Sequence, residues 1–357
     1  MAIALILPGS IWFSPYLRIY TRILDERNIP YSVVSWNREG DDKPEGYQYN
    51  HICEKGHGSA SLSDYFGYVR FLKRLIKEKK FDKLIVFGPQ LTCLLSAFLL
   101  RHYRGKFIID YRDLSIEQKP VFKQIFSLMM KYSCANIISS PGFKRCLPRR
   151  DDYIISHNFD VQIVKDSLNN GIENLSGFND ERGIDVLTIG AIRDYSSNVE
   201  VVKALGNVEG INLRFVGKGG AATRIEEYSK EAGINNISFT GFYQKNQEAG
   251  FIMSSTFMNI YYPRIITHDT ALSNRFYNSL IYKKPMIVTK NTTQGDFVDQ
   301  YNLGVAVENC ENLPSIIKDF LKNDYQEYCI RCSTLLRSFL VDYDIFEAKV
   351  LEFVGLK

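Results

Sequence analysis

Several short stretches of this sequence set anion-binding or proton-handling side chains beside glycine or a helix start. The longest reads Thr267-His-Asp-Thr-Ala-Leu-Ser-Asn-Arg-Phe-Tyr-Asn278 and continues to Lys283-Lys-Pro-Met286. Ser273 and Asn274 are good helix-capping types. The spacing of Phe276, Leu280 and Ile281 predicts an amphipathic helix that Pro285 closes. Unpaired N–H groups at such a helix start make a site for an anion. Ile189-Gly-Ala-Ile-Arg193 ends a strand; Gly190 lets the backbone turn tightly, and Arg193 can offer a diphosphate a planar fork of donors or be a surface arginine after a turn. In Phe215-Val-Gly-Lys-Gly-Gly220, Gly217, Gly219 and Gly220 permit close backbone approach and Lys218 adds a point charge; the same cluster also makes a plain strand-to-helix turn. Ile109-Asp-Tyr-Arg-Asp-Leu114 ends another strand. There Asp113 can orient or deprotonate a hydroxyl and Arg112 can hold a phosphate, or the two can pair and cap the next helix. Glu117, one turn on, is a weaker candidate for the same work. Pro8-Gly-Ser-Ile-Trp-Phe-Ser-Pro15 offers Gly9 and Ser10 as contacts, with Trp12 and Phe13 as a rim or as packing. His51 and His57 lie in a polar stretch, where either can act as a base or simply be solvated.

These residues need elements to position them. A chain of 357 residues is long enough for roughly two domains of ordinary size. Short apolar runs at 3–7, 31–36, 83–87, 106–110, 136–139 and 153–156 alternate with amphipathic runs at 15–27, 62–80, 91–103 and 121–132. That alternation argues a parallel sheet covered on both faces. The polar, glycine-rich stretch 37–61 reads as a long irregular loop. Residues 161–183, rich in Asn, Asp, Ser and Gly, read as a linker. A second series follows, with strands at 185–189, 212–216, 237–240, 257–261, 285–289 and 305–307. Helical stretches at 313–340 and 344–354 follow these strands. Two successive open α/β domains place a ligand at the C-terminal ends of their strands.

Charge divides the chain. Residues 1–150 hold 24 Lys and Arg against 13 Asp and Glu, a net +11; the remainder holds 20 against 27, a net −7. The first half therefore expects an anionic partner, and without a nucleic-acid module a membrane surface is the better expectation than nucleic acid. The stretch 68–80 reads as a basic amphipathic helix whose apolar face, Val69, Leu72, Leu75 and Ile76, must be buried in a core or a membrane. No run reaches the ~20 apolar residues that span a bilayer, and the first residues lack the pattern of a signal peptide. The seven cysteines are expected to be reduced cytosolic thiols.

The stretch from Leu272 resembles the donor-site signature of the GT-B glycosyltransferases of family 4, in which L-P-N-K-x-F-E runs into G-K-P-V. The equivalents here are Leu272-Ser-Asn-Arg-Phe-Tyr-Asn278 and Lys283-Lys-Pro-Met286. The turns at Gly190 and Gly217 resemble that family's phosphate-side loops, where a basic residue such as Arg193 serves the diphosphate. Phe239-Thr-Gly-Phe-Tyr243 resembles its F-x-G, which sets Gly241 and Phe242 beside the nucleotide base; Phe242 can equally be core. Asp110-Tyr-Arg-Asp113 resembles the D-x-R-D of bacterial polysaccharide glycosyltransferases. The resemblance implies a GT-B fold of two Rossmann-like doubly wound domains with an interdomain cleft and C-terminal helices. Domain 1–160 would bind the acceptor and 184–340 the nucleotide sugar, with 341–357 a helix that packs back on the first.

It further implies transfer of a sugar from a nucleotide-diphosphate donor to a carbohydrate acceptor, expected to be lipid-linked, in capsule or surface-polysaccharide assembly. Stereochemistry would be retained, with no cofactor and no metal, by a cytoplasmic enzyme peripheral to the inner face of the membrane. Asp113 and Asp269 would be catalytic. Gly9, Gly190, Arg193, Gly217, Lys218, Gly241, Phe242, Thr270, Ser273, Asn274 and Asn278 would bind the donor, and Ser10, Arg112 and His57 the acceptor. One departure stands out: the family carries two glutamates seven residues apart, and Thr270 and Asn278 occupy those positions. Asn278 can still bond a ribose hydroxyl without charge. Thr270 brings no carboxylate to the sugar, so Asp269 supplies it if the loop shifts by one residue. A non-hydrolysing nucleotide-sugar epimerase and a non-catalytic nucleotide-binding module of the same fold are the alternatives.

Overall fold

Parallel strands enclosed on both faces must be apolar along their whole length, because neither face meets water. The computed structural model, which describes residues 2–38, 48–52, 60–169, 178 and 183–356, contains two parallel sheets whose buried strands are largely apolar. They belong to two compact units, Met1–Asn158 with Val341–Lys357, and Phe159–Leu340.

The first unit runs β1 (Ile3–Ile6), α1 (Leu17–Glu26), β2 (Tyr31–Asn37), β3 (Tyr49–Ile52), α2 (Leu62–Lys79), β4 (Lys83–Phe87), α3 (Pro89–Leu94), α4 (Ser96–His102), β5 (Phe107–Tyr111), α5 (Pro120–Tyr132), β6 (Ala135–Ile138) and β7 (Tyr153–Ile155). Its strand order is β3-β2-β1-β4-β5-β6-β7, all parallel. β1, β5 and β6 are buried at every residue. α2 begins at a capping box between Ser61 and Asp64 and ends where Lys80 turns left-handed at φ 51°. Its apolar face, Val69, Leu72, Leu75 and Ile76, is buried in this unit.

Two expectations need correcting here. The stretch 37–61 is not wholly irregular: β3 pairs with the end of β2, Tyr49 opposite Val34 and Ile52 opposite Asn37. Tyr-Asn-His-Ile is only partly buried on this edge strand, so it has no apolar run to betray it. The helix expected at 91–103 is two helices that meet at Leu95.

The second unit comprises α6 (Val161–Asn169), β8 (Ile184–Ile189), α7 (Tyr195–Leu205), β9 (Ile211–Val216), α8 (Ala222–Glu231), β10 (Ile237–Gly241), α9 (Glu248–Met253), β11 (Phe257–Ile260), α10 (Ile266–Thr270), α11 (Asn274–Ile281), β12 (Met286–Thr289), α12 (Thr293–Tyr301), β13 (Gly304–Val307), α13 (Leu313–Phe320) and the first part of α14 (Tyr325–Phe353). Its strand order is β10-β9-β8-β11-β12-β13, again parallel. α6 lies inside the stretch read as a linker, and Ser167 ties it to the end of α11 by a 2.6 Å bond to the Ile281 carbonyl. The two last helical stretches are short α13 and the 29-residue α14. No glycine or proline interrupts 325–353, so nothing breaks the helix where the units divide, after Leu340. Before that point Phe339 packs against Tyr277 and Phe297 of the second unit. After it Phe346 meets Tyr20 of the first, edge-on at 5.0 Å.

Candidate functional site

In the second sheet the strand order reverses beside β8, and the C-terminal edge of β8 and β11 is where doubly wound sheets take ligands. Two glycine turns leave this edge side by side. Gly190 after β8 has φ +98° and Gly217 after β9 has φ +132°. The Ile192 N–H donates to the Lys218 carbonyl at 3.1 Å, and the Ala221 N–H to the Ile192 carbonyl at 3.1 Å. A Cβ on Gly217 would lie 2.0 Å from the Gly190 carbonyl oxygen, and one on Gly219 2.1 Å from that of Ile192. The close approach that these glycines permit is therefore between the two turns. Arg193 and Lys218 stand exposed on them. Arg193 has no side-chain partner among the described residues, and Lys218 lies 6.0 Å from the ring of Phe242. Phe242 is 72% exposed, so it is not core, and Gly241 before it has φ +71°.

α11 brings its start to the same edge. Ser273 caps it, accepting from the Phe276 N–H at 3.3 Å, and donates to Gln294 at 2.7 Å. Asn274 is exposed at the first turn. Arg275, read above only as part of the motif, is buried. Its guanidinium donates to the carbonyls of Ile189 at 2.5 Å, Ala191 at 3.1 Å and Asn259 at 3.4 Å, and so fastens the helix to the β8 turn. Asn278, one turn on, donates to Glu248 at 3.4 Å. Glu248 also accepts from the Tyr243 hydroxyl at 2.8 Å and pairs with Lys245. Burial first, and the Glu248 bond second, push the Tyr243 hydroxyl well above its ordinary pKa, so it remains a donor at neutral pH.

Neither Glu248 nor Tyr243 stands out in the sequence as a site residue; their one signal is position just after the F-x-G turn. Thr270 is fully buried and donates to the Ile266 carbonyl at 2.7 Å. Asp269 is held by Arg264, at 2.8 Å and 3.1 Å to its two carboxylate oxygens. A separate cavity of about 400 Å³, lined by Asp185, Arg214, Asn236 and Ser254 among others, lies at the opposite, N-terminal ends of the strands.

In the first unit the candidate residues follow β1 and β5. Arg112 is buried. It donates to both oxygens of Asp110, at 2.5 Å and 2.7 Å, to the Ser156 carbonyl at 2.8 Å and to the Ser156 hydroxyl at 3.0 Å. Those bonds leave one of its five N–H donors, so the D-x-R pair braces the strand ends. Asp110 also accepts from Tyr20 at 2.5 Å. Asp113 is open to water on one side; the protein packed around the rest of it raises its carboxyl pKa, with the Arg112 charge opposing. Glu117 is buried and accepts from Tyr111 at 2.6 Å. Gly9 packs against Arg38, whose guanidinium would sit 3.0 Å from an added Cβ. Ser10 is buried and caps the turn that carries exposed Trp12 and Phe13. His57 lies outside the described residues.

Among the described residues no group of three or more His, Cys, Asp or Glu could hold a metal ion, and no helix is long and apolar enough to cross a membrane. Cys329 and Cys332, spaced C-x-x-C within α14, are buried free thiols. Burial pushes the Cys332 thiol up to about 12.

No protein-family model matches this chain, and no curated protein sequence does either. Solved structures do. The Anabaena protein HepE in complex with UDP superposes on 98% of this chain and 99% of its own, with a TM-score of 0.69 and 11% identity. The apo form of WaaB, a lipopolysaccharide outer core galactosyltransferase, covers 99% of both chains at 0.68 and 14%. WaaG, a glycosyltransferase involved in lipopolysaccharide biosynthesis, covers 99% of this chain and 100% of its own at 0.60 and 12%. At such identities the likeness concerns the fold, and that fold is GT-B, two Rossmann-like α/β units.

Proposed function

We propose that this protein is a glycosyltransferase that moves a sugar from a nucleotide-diphosphate donor to a carbohydrate hydroxyl. The observation that carries the reading is the pair of exposed cations, Arg193 and Lys218, on stacked glycine turns beside the start of α11, in a GT-B fold. A diphosphate leaving group gains charge as its bond to the anomeric carbon breaks, and preset cations and helix N–H groups stabilise that charge. The second unit would hold the donor, with Phe242 and the backbone at Gly241 at the base and Asn278 at the ribose. The first unit would hold the acceptor, whose oxygen bonds to the anomeric carbon as its proton passes to Asp113. Asp269 would face the donor sugar, freed from Arg264 or acting with it, and configuration would be retained without a metal.

A lipid-linked acceptor in surface-polysaccharide assembly, reached from the cytoplasmic face of a membrane, fits the net +11 of residues 1–150. It also fits the exposed Arg70, Arg74 and Lys77 on the outer face of α2. Incubation with candidate nucleotide sugars, with and without extracted lipid-linked acceptor, tests the reading. Sugar transfer with nucleotide release supports it. An isomerised donor would favour an epimerase, and binding without turnover a non-catalytic module. The membrane part is tested separately: sedimentation with anionic vesicles should show binding that weakens as salt rises. A lack of salt-sensitive binding would favour a soluble acceptor.

A further inference from the structure

Glu248 is a carboxylate that the chemistry above leaves unused. It opens α9, and only 16% of its side-chain surface is exposed. Burying a carboxylate is unfavourable unless donors answer its charge. Two of its donors are neutral, the Tyr243 hydroxyl on Oε1 and the Asn278 amide on Oε2. The third, Lys245, is 82% exposed, and surface pairs of that kind open easily. Each carboxylate oxygen can accept two hydrogen bonds, so Oε1 keeps a free acceptor position and Oε2 gains one when Lys245 moves away.

The place matters as much as the inventory. The Tyr243 hydroxyl lies 4.0 Å from where a side chain on Gly190 would begin. Gly190 closes β8, next to the reversal of strand order. Outside that edge of a doubly wound sheet, an acidic side chain is suited to the hydroxyls of ribose. Two adjacent hydroxyls match the two oxygens of one carboxylate, whereas a phosphate would be repelled and falls instead to Arg193 and Lys218.

We infer that Glu248 recognises the ribose diol of the donor nucleotide beside Asn278, and that Tyr243 is the positioning residue that aims its carboxylate; the inference rests on the donor reading proposed above. The carboxylate that position 278 lacks thus comes from a different element, the start of α9.

The test is calorimetric. Uridine, guanosine, adenosine and cytidine diphosphates are titrated into the full chain, and the tightest binder is compared with its 2′,3′-dideoxy analogue. Wild type should prefer the ribonucleotide. Glu248→Gln should lose about tenfold or more in affinity for the ribonucleotide and little for the dideoxy analogue, so that the preference collapses. Tyr243→Phe should show the same selective loss at smaller size, and it decides the matter if Glu248→Gln fails to fold. A folded Glu248→Gln that keeps the full ribose preference overturns the inference and leaves the donor reading standing. So does a wild type that binds nucleotide without regard to the ribose hydroxyls. A wild type that binds none of the four overturns the donor reading and the inference with it.

Discussion

Arg193 and Arg275 flank the same glycine turn, and only one of them holds the fold together. Arg275 is buried against three backbone carbonyls, so its charge is answered by protein dipoles. Arg193 is exposed, with no side-chain partner among the described residues. Arg193→Ala is therefore expected to weaken nucleotide binding by about 1.5–3 kcal/mol, the loss of a charge-assisted hydrogen bond, and to leave the melting temperature unchanged. Arg193→Lys should recover part of the affinity, since an ammonium lacks the planar fork. Arg275→Ala should do the reverse and lower stability. Calorimetric titration beside a thermal melt separates the two, and unchanged affinity in Arg193→Ala would remove that residue from the site. The sequence marks Arg193 by its glycine neighbour but does not tell the two arginines apart. Two of the three carbonyls that bury Arg275 lie 84 and 86 residues away, and that pairing exists only once α11 has docked. Glu248 was hidden for the same reason: its partner Asn278 is 30 residues further on. Arg112 shows the converse, a motif residue whose donors are taken up by Asp110 and Ser156.

At the scale of elements, the glycine turns after β8 and β9 depend on each other. Gly217 combines a backbone that side chains rarely adopt with a Cβ position inside the Gly190 carbonyl. Gly217→Ala should thus cost about 2–3 kcal/mol and move both turns together. Urea unfolding measures the cost, and nucleotide affinity should fall with it even though glycine offers the ligand no side chain. Wild-type stability in that variant would mean that the turns are not packed as described. Much of the alternating pattern was legible because enclosed strands are mostly apolar: β1, β4, β5, β8 and β12 each follow a short, largely apolar run. What escaped was structure whose stability comes from neighbours. β3 is an edge strand held by β2, α6 is pinned to α11 through Ser167, and α10 and α12 are short helices inside polar sequence.

For the whole molecule, the membership of α14 has a consequence for how the protein is made. Residues 325–340 of that helix count with the second unit and those from 341 with the first. The second unit is thus an insertion in the first. Phe346, Val350 and Phe353 are buried in the first unit, Phe346 against Tyr20, and Asp342 meets His157 at 3.0 Å. Truncation after Leu340 should expose that part of the first core and lower hydrogen-exchange protection in β1, β4 and β5, while β8, β11 and β12 keep theirs. A truncated chain with full protection in the first unit would refute this division. Phe346→Ala alone should remove about 3–5 kcal/mol, the usual loss for a buried phenylalanine. Domains form as they leave the ribosome, the N-terminal one ordinarily first. Here that order is inverted: the unit whose residues are translated first waits, unfinished, until the unit translated after it has emerged, and a chaperone would find its longest-lived client surface on the older half of the nascent chain.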